Sequence, residues 1–245
     1  MRMQKRCLWL LLVLRVAFAQ SPGQPVFEVA AIKPGNPQSR QLRTLISAGG
    51  RLTAENVTLR TLIEDAYELK PFQLTGGPRW MDSDTFAVLA KGAESATNAQ
   101  VRLMLQSLLA ERFQLSMRRE RKEQTVYSLV VKGTLKLEPA KEGGRQLMST
   151  TVGRGPGSNR VVFKNTTMVK LADVLSRQTE RLVEDRTGLS GEFDFELYAT
   201  RDVSEPNPFI APFAPALPQL GLKLESQKGP VEVFVVDRAE KPSEN

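Results

Sequence analysis

Between Arg51 and Tyr67 the chain reads RLTAENVTLRTLIEDAY, and its hydrophobic period changes from two to about 3.6. Leu52 to Glu55 is predicted as a short strand. Leu59, Leu62, Ile63, Ala66 and Tyr67 then fall on one face of a helix. Thr58 stands where a side-chain oxygen can satisfy the first free backbone N–H groups. The pattern returns at Arg160 to Ser176, RVVFKNTTMVKLADVLS, with strand Val161 to Lys164, cap Thr167 and stripe Met168, Leu171, Ala172 and Leu175.

The match extends downstream. Ser83 to Val88 resembles Ser190 to Phe195, Phe113 and Leu115 match Leu222 and Leu224, and Val126 to Val131 matches Val231 to Val236. Segments matching in the same order are the signature of an internal repeat. Each copy is expected as β-α-β-α-β-β. In the first, Val26 to Lys33 alternates as a strand that Pro34 ends, and Leu42 to Ile46 is a candidate edge strand. Thr85 to Ala90 is a strand, Ala99 to Arg112 a second helix, and Phe113 to Glu120 with Val126 to Lys132 a closing antiparallel pair. In the second copy, Phe193 to Tyr198, Leu222 to Glu225 and Val231 to Asp237 are strands. Pro206, Pro208, Pro212, Pro215 and Pro218 reduce its second helix, because proline lacks the N–H a helix needs. The fold class is therefore α+β, with helices packed on antiparallel or mixed sheets. The domain reading is 20–138 for the first repeat, 139–159 as a Gly-rich polar linker, and 160–245 for the second repeat, with Lys241 to Asn245 as a frayed tail.

Residues 1–19 read as a secretory signal. Arg2, Lys5 and Arg6 form the basic end, Cys7 to Leu14 the apolar run, and Ala17-Phe18-Ala19 the small-residue cleavage site. Arg15 interrupts the run, which is short for a bilayer span. The full chain holds 34 Lys+Arg against 27 Asp+Glu, a net +7. Four of the basic residues lie in the signal, so the expected mature chain is close to +3. That removes most of the charge argument for nucleic acid, and no nucleic-acid partner is expected. The only cysteine, Cys7, leaves with the signal, so no disulfide is expected. A periplasmic or secreted location follows, with no transmembrane segment after cleavage.

Several of these stretches carry a family resemblance. Phe27-Glu28-Val29-Ala30-Ala31-Ile32-Lys33-Pro34, Asn56-Val57-Thr58-Leu59, Gly76-Gly77-Pro78-Arg79-Trp80, Asp185-Arg186-Thr187-Gly188-Leu189 and Gly229-Pro230-Val231-Glu232 with Asp237-Arg238 are the segments concerned. Across nearly the whole mature chain it resembles the acidobacterial soil-associated family of secreted proteins, a domain of unknown function. The resemblance implies export and, in some architectures, fusion to an antirepressor-type membrane metallopeptidase. It implies no catalytic residue. The chain departs from it at Pro212 to Pro218, where the family has a helix. The strand-cap-helix unit followed by Thr-Gly-Leu-Ser-Gly is similar, more weakly, to the short N-terminal domains of secretins and TonB-dependent receptors, which are periplasmic interaction modules.

With no histidine anywhere, His-based triads, His general bases and most zinc sites are excluded. No G-x-S-x-G, S-x-x-K or Walker A motif occurs. Gly153 to Gly157 lacks the Lys-Ser/Thr ending of a phosphate loop and reads as linker. No cofactor and no metal site is expected. Asp82 and Asp84 suit a sugar subsite, a Ca²⁺ ion or plain turn capping. Glu64 with Asp65, and Asp194 with Glu196, form an acid/base pair only if the fold joins them, and their patterns place them in solvent.

The binding candidates are Trp80 and Arg79 after the Gly-Gly-Pro turn, and Arg118, Arg119 and Arg121 on the first hairpin. The plainer readings are a core anchor for Trp80 and a charged edge strand for the arginines. These features point to an exported, non-catalytic binding or protein-interaction module whose partner is an envelope protein or an anionic cell-surface polymer. The alternatives are a carboxylate-dependent envelope glycan hydrolase, and a sensor domain related to antirepressor-type membrane peptidase systems.

Overall fold

The structure, a computed structural model, describes residues 25–36, 43–47, 49–141, 143–152, 158–200 and 213–242. The signal segment, the Gly153 to Gly157 stretch and Pro206, Pro208 and Pro212 lie outside the described residues. The first half runs β1 (Val29–Pro34), β2 (Arg43–Ser47), β3 (Arg51–Thr58), α1 (Leu59–Tyr67), β4 (Leu74–Gly76), α2 (Trp80–Ser83), β5 (Thr85–Lys91), α3 (Asn98–Arg112) and β6 (Ser116–Val131). The second runs β7 (Glu138–Pro139), β8 (Leu147–Val152), β9 (Ser158–Thr166), α4 (Met168–Thr179), β10 (Val183–Asp185), β11 (Phe193–Thr200), a 3-10 turn (Ala214–Leu220) and β12 (Leu222–Arg238). The class is α+β, as expected.

β3 alternates correctly through Leu52 and Ala54, both buried. A bulge between Ala54 and Val57 then places Asn56 at φ 51°, a left-handed geometry that Asn tolerates better than most residues. The Asn56 Oδ1 accepts from the Asn36 N–H at 2.6 Å. The shift brings Val57 and Leu59 into the core. Thr58 Oγ1 accepts from the Thr61 N–H at 3.2 Å and starts α1, and Glu68 at φ 53° ends it. β9 and α4 use the same devices. Asn165 has φ 47°, Thr167 Oγ1 accepts from the Lys170 N–H at 3.1 Å, and Glu180 at φ 50° closes the helix. Each cap contributes about 1 kcal/mol.

Two sheets have matching strand orders, β1-β5-β3-β2 in the first half and β7-β11-β9-β8 in the second. Within 139–159, read as a linker, β8 pairs antiparallel with β9 from Leu147↔Lys164 to Val152↔Asn159. Polar, Gly-rich composition concealed it.

The closing pairs expected within each copy do not form. Residues 116–131 are one strand, residues 222–238 are another, and they pair with each other from Leu222↔Val131 to Val236↔Met117. β10 adds parallel to β6 and β4 adds parallel to β12, giving the sheet β10-β6-β12-β4. The charged middle of β6 resembles a turn in sequence, but a two-stranded ribbon tolerates charge on its exposed positions. Gln114 (φ 48°) and Gly221 (φ 75°) precede these strands, each after a buried residue, Phe113 or Leu220. By position relative to these positive-φ residues, Phe113 stands as Leu220 does and Leu115 as Leu222 does, two residues away from the sequence match.

The ribbon joins two cores. Phe234 and Val236 of β12 pack with Leu52, Leu59, Leu62, Ile63, Val101 and Leu105 of the first half. Leu129 of β6 packs with Phe163, Leu171, Leu175, Leu197 and Phe213 of the second half. A truncation such as Leu62→Ala costs about 2–5 kcal/mol in such a setting. Where the first half has the fifteen-residue α3, the second has a seven-residue 3-10 turn containing Pro215 and Pro218.

Candidate functional site

The Gly76 to Trp80 loop is built by β4. Gly76 and Gly77 have φ 77° and 83°, and a Cβ on Gly77 would lie 2.3 Å from the Met81 Sδ. The tight turn starts α2 at Trp80. The Trp80 ring is half-buried, edge-on to Phe86 at 6.2 Å between centroids. The ammonium of Lys241 lies 5.9 Å from its centroid, within cation–π range. Trp80 is therefore an aromatic support at the core rim. Arg79 is exposed and makes no ion pair among the described residues.

Beside Trp80 lies a cleft of about 380 Å³, lined chiefly by Ile32, Lys33, Pro34, Asp84, Phe86 and Lys241. The strand pairing Pro34↔Phe86 closes its floor. Lys241 bridges to Asp84 at 2.6 Å, and Ser83 Oγ donates to the Asp84 carboxylate at 3.0 Å. The hydrogen bond from Lys241, then that from Ser83, hold the exposed Asp84 carboxyl below the usual range. Lys33 is exposed and makes no ion pair among the described residues. The cleft thus joins apolar walls to one neutralised carboxylate and an additional cation. Sequence reasoning missed Lys33 and Lys241. The polar composition from Lys241 onward reads as a frayed tail, and only the fold brings Lys241 to Asp84 and Trp80, 157 and 161 positions away.

Asp82 and Asp84 do not converge. Asp82 pairs with Arg60, and Asp84 with Lys241. Among the described residues no group of three or more Asp, Glu, His or Cys gathers in a form that could hold a metal ion.

The basic run on β6 is dispersed by the pleat. Arg118 shares a face with Glu120 and Lys122, and pairs with Glu120 at 2.8 Å and with Asp237. Glu120, taken by Lys122 and Arg118, is held below the ordinary carboxylate range. Arg119 and Arg121 fall on the opposite face. Arg119 lies 5.1 Å from the Phe234 ring centroid, and Arg121 is exposed. Four basic residues within five positions of sequence are therefore not one patch in space.

Asp194 and Glu196 line a second cleft of about 350 Å³ along β11, with Lys136, Glu138, Lys164, Tyr198 and Gln219. Lys164 bridges Asp194 at 2.8 Å, and the Asn165 N–H donates to Asp194 at 2.9 Å. Arg160 forks onto Glu196, with its Nε at 2.7 Å, and the Tyr198 hydroxyl donates at 3.2 Å. Lys164 and the Asn165 N–H lower Asp194, and Arg160 lowers Glu196. Both carboxyls are ionised at neutral pH, whereas glycoside hydrolysis needs one kept protonated.

Glu64 behaves differently. It lies on α1, lines neither cleft, and its Oε1 is buried without a hydrogen-bond partner among the described residues. Burial pushes its carboxyl up. Arg60 opposes, and Asp65 and Asp82 reinforce the rise. The expectation that it faces solvent holds only in part.

Comparison with known proteins finds one family model, described as a protein of unknown function (DUF3738), matching residues 60–239. No curated protein and no solved structure matches the chain.

Proposed function

From the premise that the chain belongs to the DUF3738 family of proteins of unknown function, we propose that it is an exported binding module of the cell envelope. We further propose that its halves are two copies of one unit. The signal-like residues 1–19 support export, and the matched strand orders support the duplication. One observation carries the binding reading: the cleft between β1, β5 and Lys241, with its apolar walls and with Lys33 exposed and making no ion pair among the described residues. Lys33 and the Trp80-backed Lys241 favour a ligand bearing an anionic group on an apolar or sugar body. The end of an anionic cell-surface polymer has that chemistry.

The test is a thermal-shift and calorimetric screen of residues 20–245 against anionic envelope polymers and their terminal fragments. A saturable signal is expected. It should weaken about tenfold in Lys33→Ala and in Lys241→Ala, since each removes one charge contact. Equal binding by wild type and both variants would overturn the cleft assignment. Export is tested separately, by placing residues 1–24 ahead of a reporter enzyme active only outside the cytoplasm.

A further inference from the structure

In the first sheet, β1 covers the outer edge of β5 over six residue pairs, from Val29↔Lys91 to Pro34↔Phe86. In the matching sheet, among the described residues, β7 covers β11 at only two, Pro139↔Phe193 and Glu138↔Asp194. The chain before β7 is drawn elsewhere. The Lys132 N–H donates to the Gly221 carbonyl at 2.7 Å, and the Lys136 N–H donates to the Leu220 carbonyl at 3.2 Å. These bonds hold the segment against the end of the 3-10 turn, and the 350 Å³ cleft lies between it and β11.

The edge so exposed is partly capped. The Gln219 side-chain oxygen accepts from the Tyr198 N–H at 3.3 Å, and its amide N–H donates to the Tyr198 carbonyl at 3.1 Å. One side-chain amide thereby makes both bonds that a neighbouring strand would make. Tyr198 consequently directs its backbone groups away from β9. The ladder between β11 and β9 is unbroken from Phe195 to Thr200. By the two-residue period, the N–H and C=O of Glu196 face the same outer edge, into the cleft.

We infer that this edge of β11 is a docking slot for an extended peptide, which adds as a strand beside Glu196 and continues the line of β7. The inference deepens the binding-module reading and rests on it, but at a different place on the molecule. The occupant's chemistry follows from the walls. Lys164 and Asp194 neutralise each other, as do Arg160 and Glu196, and Lys136 balances Glu138. A slot without net charge does not select a polyanion. The outward N–H and C=O of Glu196 supply the main-chain hydrogen bonds, and Phe195 and Leu220, buried apart from a narrow margin, floor the slot. The strand at the matching edge of the other sheet, β1, reads Val-Ala-Ala-Ile-Lys-Pro and shows the pattern such an edge accepts.

The probe is a synthetic peptide of residues 28–34, acetylated and amidated at its ends. It is titrated into isotope-labelled residues 20–245 and followed by amide resonances. Saturable shifts at Glu196 and Tyr198 are expected. Glu196→Pro removes the outward N–H without touching the ladder to β9, and should weaken binding about tenfold. Glu196→Gln keeps that N–H and should bind within about twofold of wild type, on the same ground. The peptide methylated at alternate backbone nitrogens should also bind about tenfold more weakly, a comparison that needs no folded variant. No saturable shift at β11, or equal binding of the methylated and unmethylated peptides, overturns the slot. Lys241→Ala should leave this binding unchanged, so failure here is separable from failure of the Trp80-side cleft.

Discussion

Single residues set both the local turns and the pH response. Asn56 and Asn165 adopt left-handed geometry just before the Thr caps, and the alternation on either side is shifted there. Glu64 is a carboxyl whose titration opposes folding at neutral pH. Its raised pKa means that the native state keeps a proton at pH values where the unfolded chain has released it. The associated stability is complete below the ordinary glutamate range and is lost as pH rises through the native value. Glu64→Gln should therefore be more stable than wild type at neutral pH, by roughly 2 °C, about what 0.5–1 kcal/mol gives at this size. The difference should vanish in acid. Melting curves from pH 3 to 8 decide it, and a constant difference across that range would refute the assignment. Asp194 and Glu196 act in the opposite sense. Their depressed values stabilise the fold above the usual carboxylate range, and that contribution is lost as pH falls through them.

At the scale of the element, the β6–β12 ribbon shows how one strand gives adjacent residues different roles. Arg118→Ser breaks exposed ion pairs and should cost no more than about 1 kcal/mol. Arg119→Ser removes a cation from Phe234 and should cost about 0.5–1 kcal/mol. Arg121→Ser, with no such contact among the described residues, should be neutral within about 0.5 kcal/mol. Urea unfolding of the three single variants measures this order, and a large effect at Arg121 alone would contradict it. The helices α1, α3 and α4 and the strands β1, β3, β5, β9 and β11 were legible, whereas β4, β7, β8 and β10 were not. Thr58 with its downstream stripe marked α1, and Thr167 marked α4. The single long strand was not legible, because Glu120 to Glu123 carries the polarity of a turn while being carried in a ladder.

At the scale of the molecule, the two halves are joined through their cores. Phe234 and Val236 complete the first core from the end of the chain, and Leu129 serves the second from β6. Lys70 reaches across to Asp173 at 3.0 Å. Burial alone would raise Asp173, but the hydrogen bond from Lys70 and the charges of Lys70, Arg177 and Lys170 outweigh it and hold the carboxyl low. Residues 20–138 expressed alone should accordingly show no cooperative thermal transition. Supplying residues 139–245 as a separate chain should restore one. A sharp transition in the isolated first half would show that β12 is dispensable to its core.

Sequence alone determined what depends on neighbours a few positions apart. Helix stripes, N-caps, the Gly-Gly-Pro turn and the strand-cap-helix pattern at Arg51 to Tyr67 and at Arg160 to Ser176 are all readable at that range, because each follows from local sterics and period. Tertiary structure decided which strands meet, and hence where the clefts lie. Backbone hydrogen bonding does not depend on side-chain identity, so the sequence around β6 does not show that its partner is β12. Lys241 reaching Asp84, Gln219 capping Tyr198 and the two-residue cover of β11 by β7 are consequences of that pairing, and each joins residues whose local patterns carry no trace of the other.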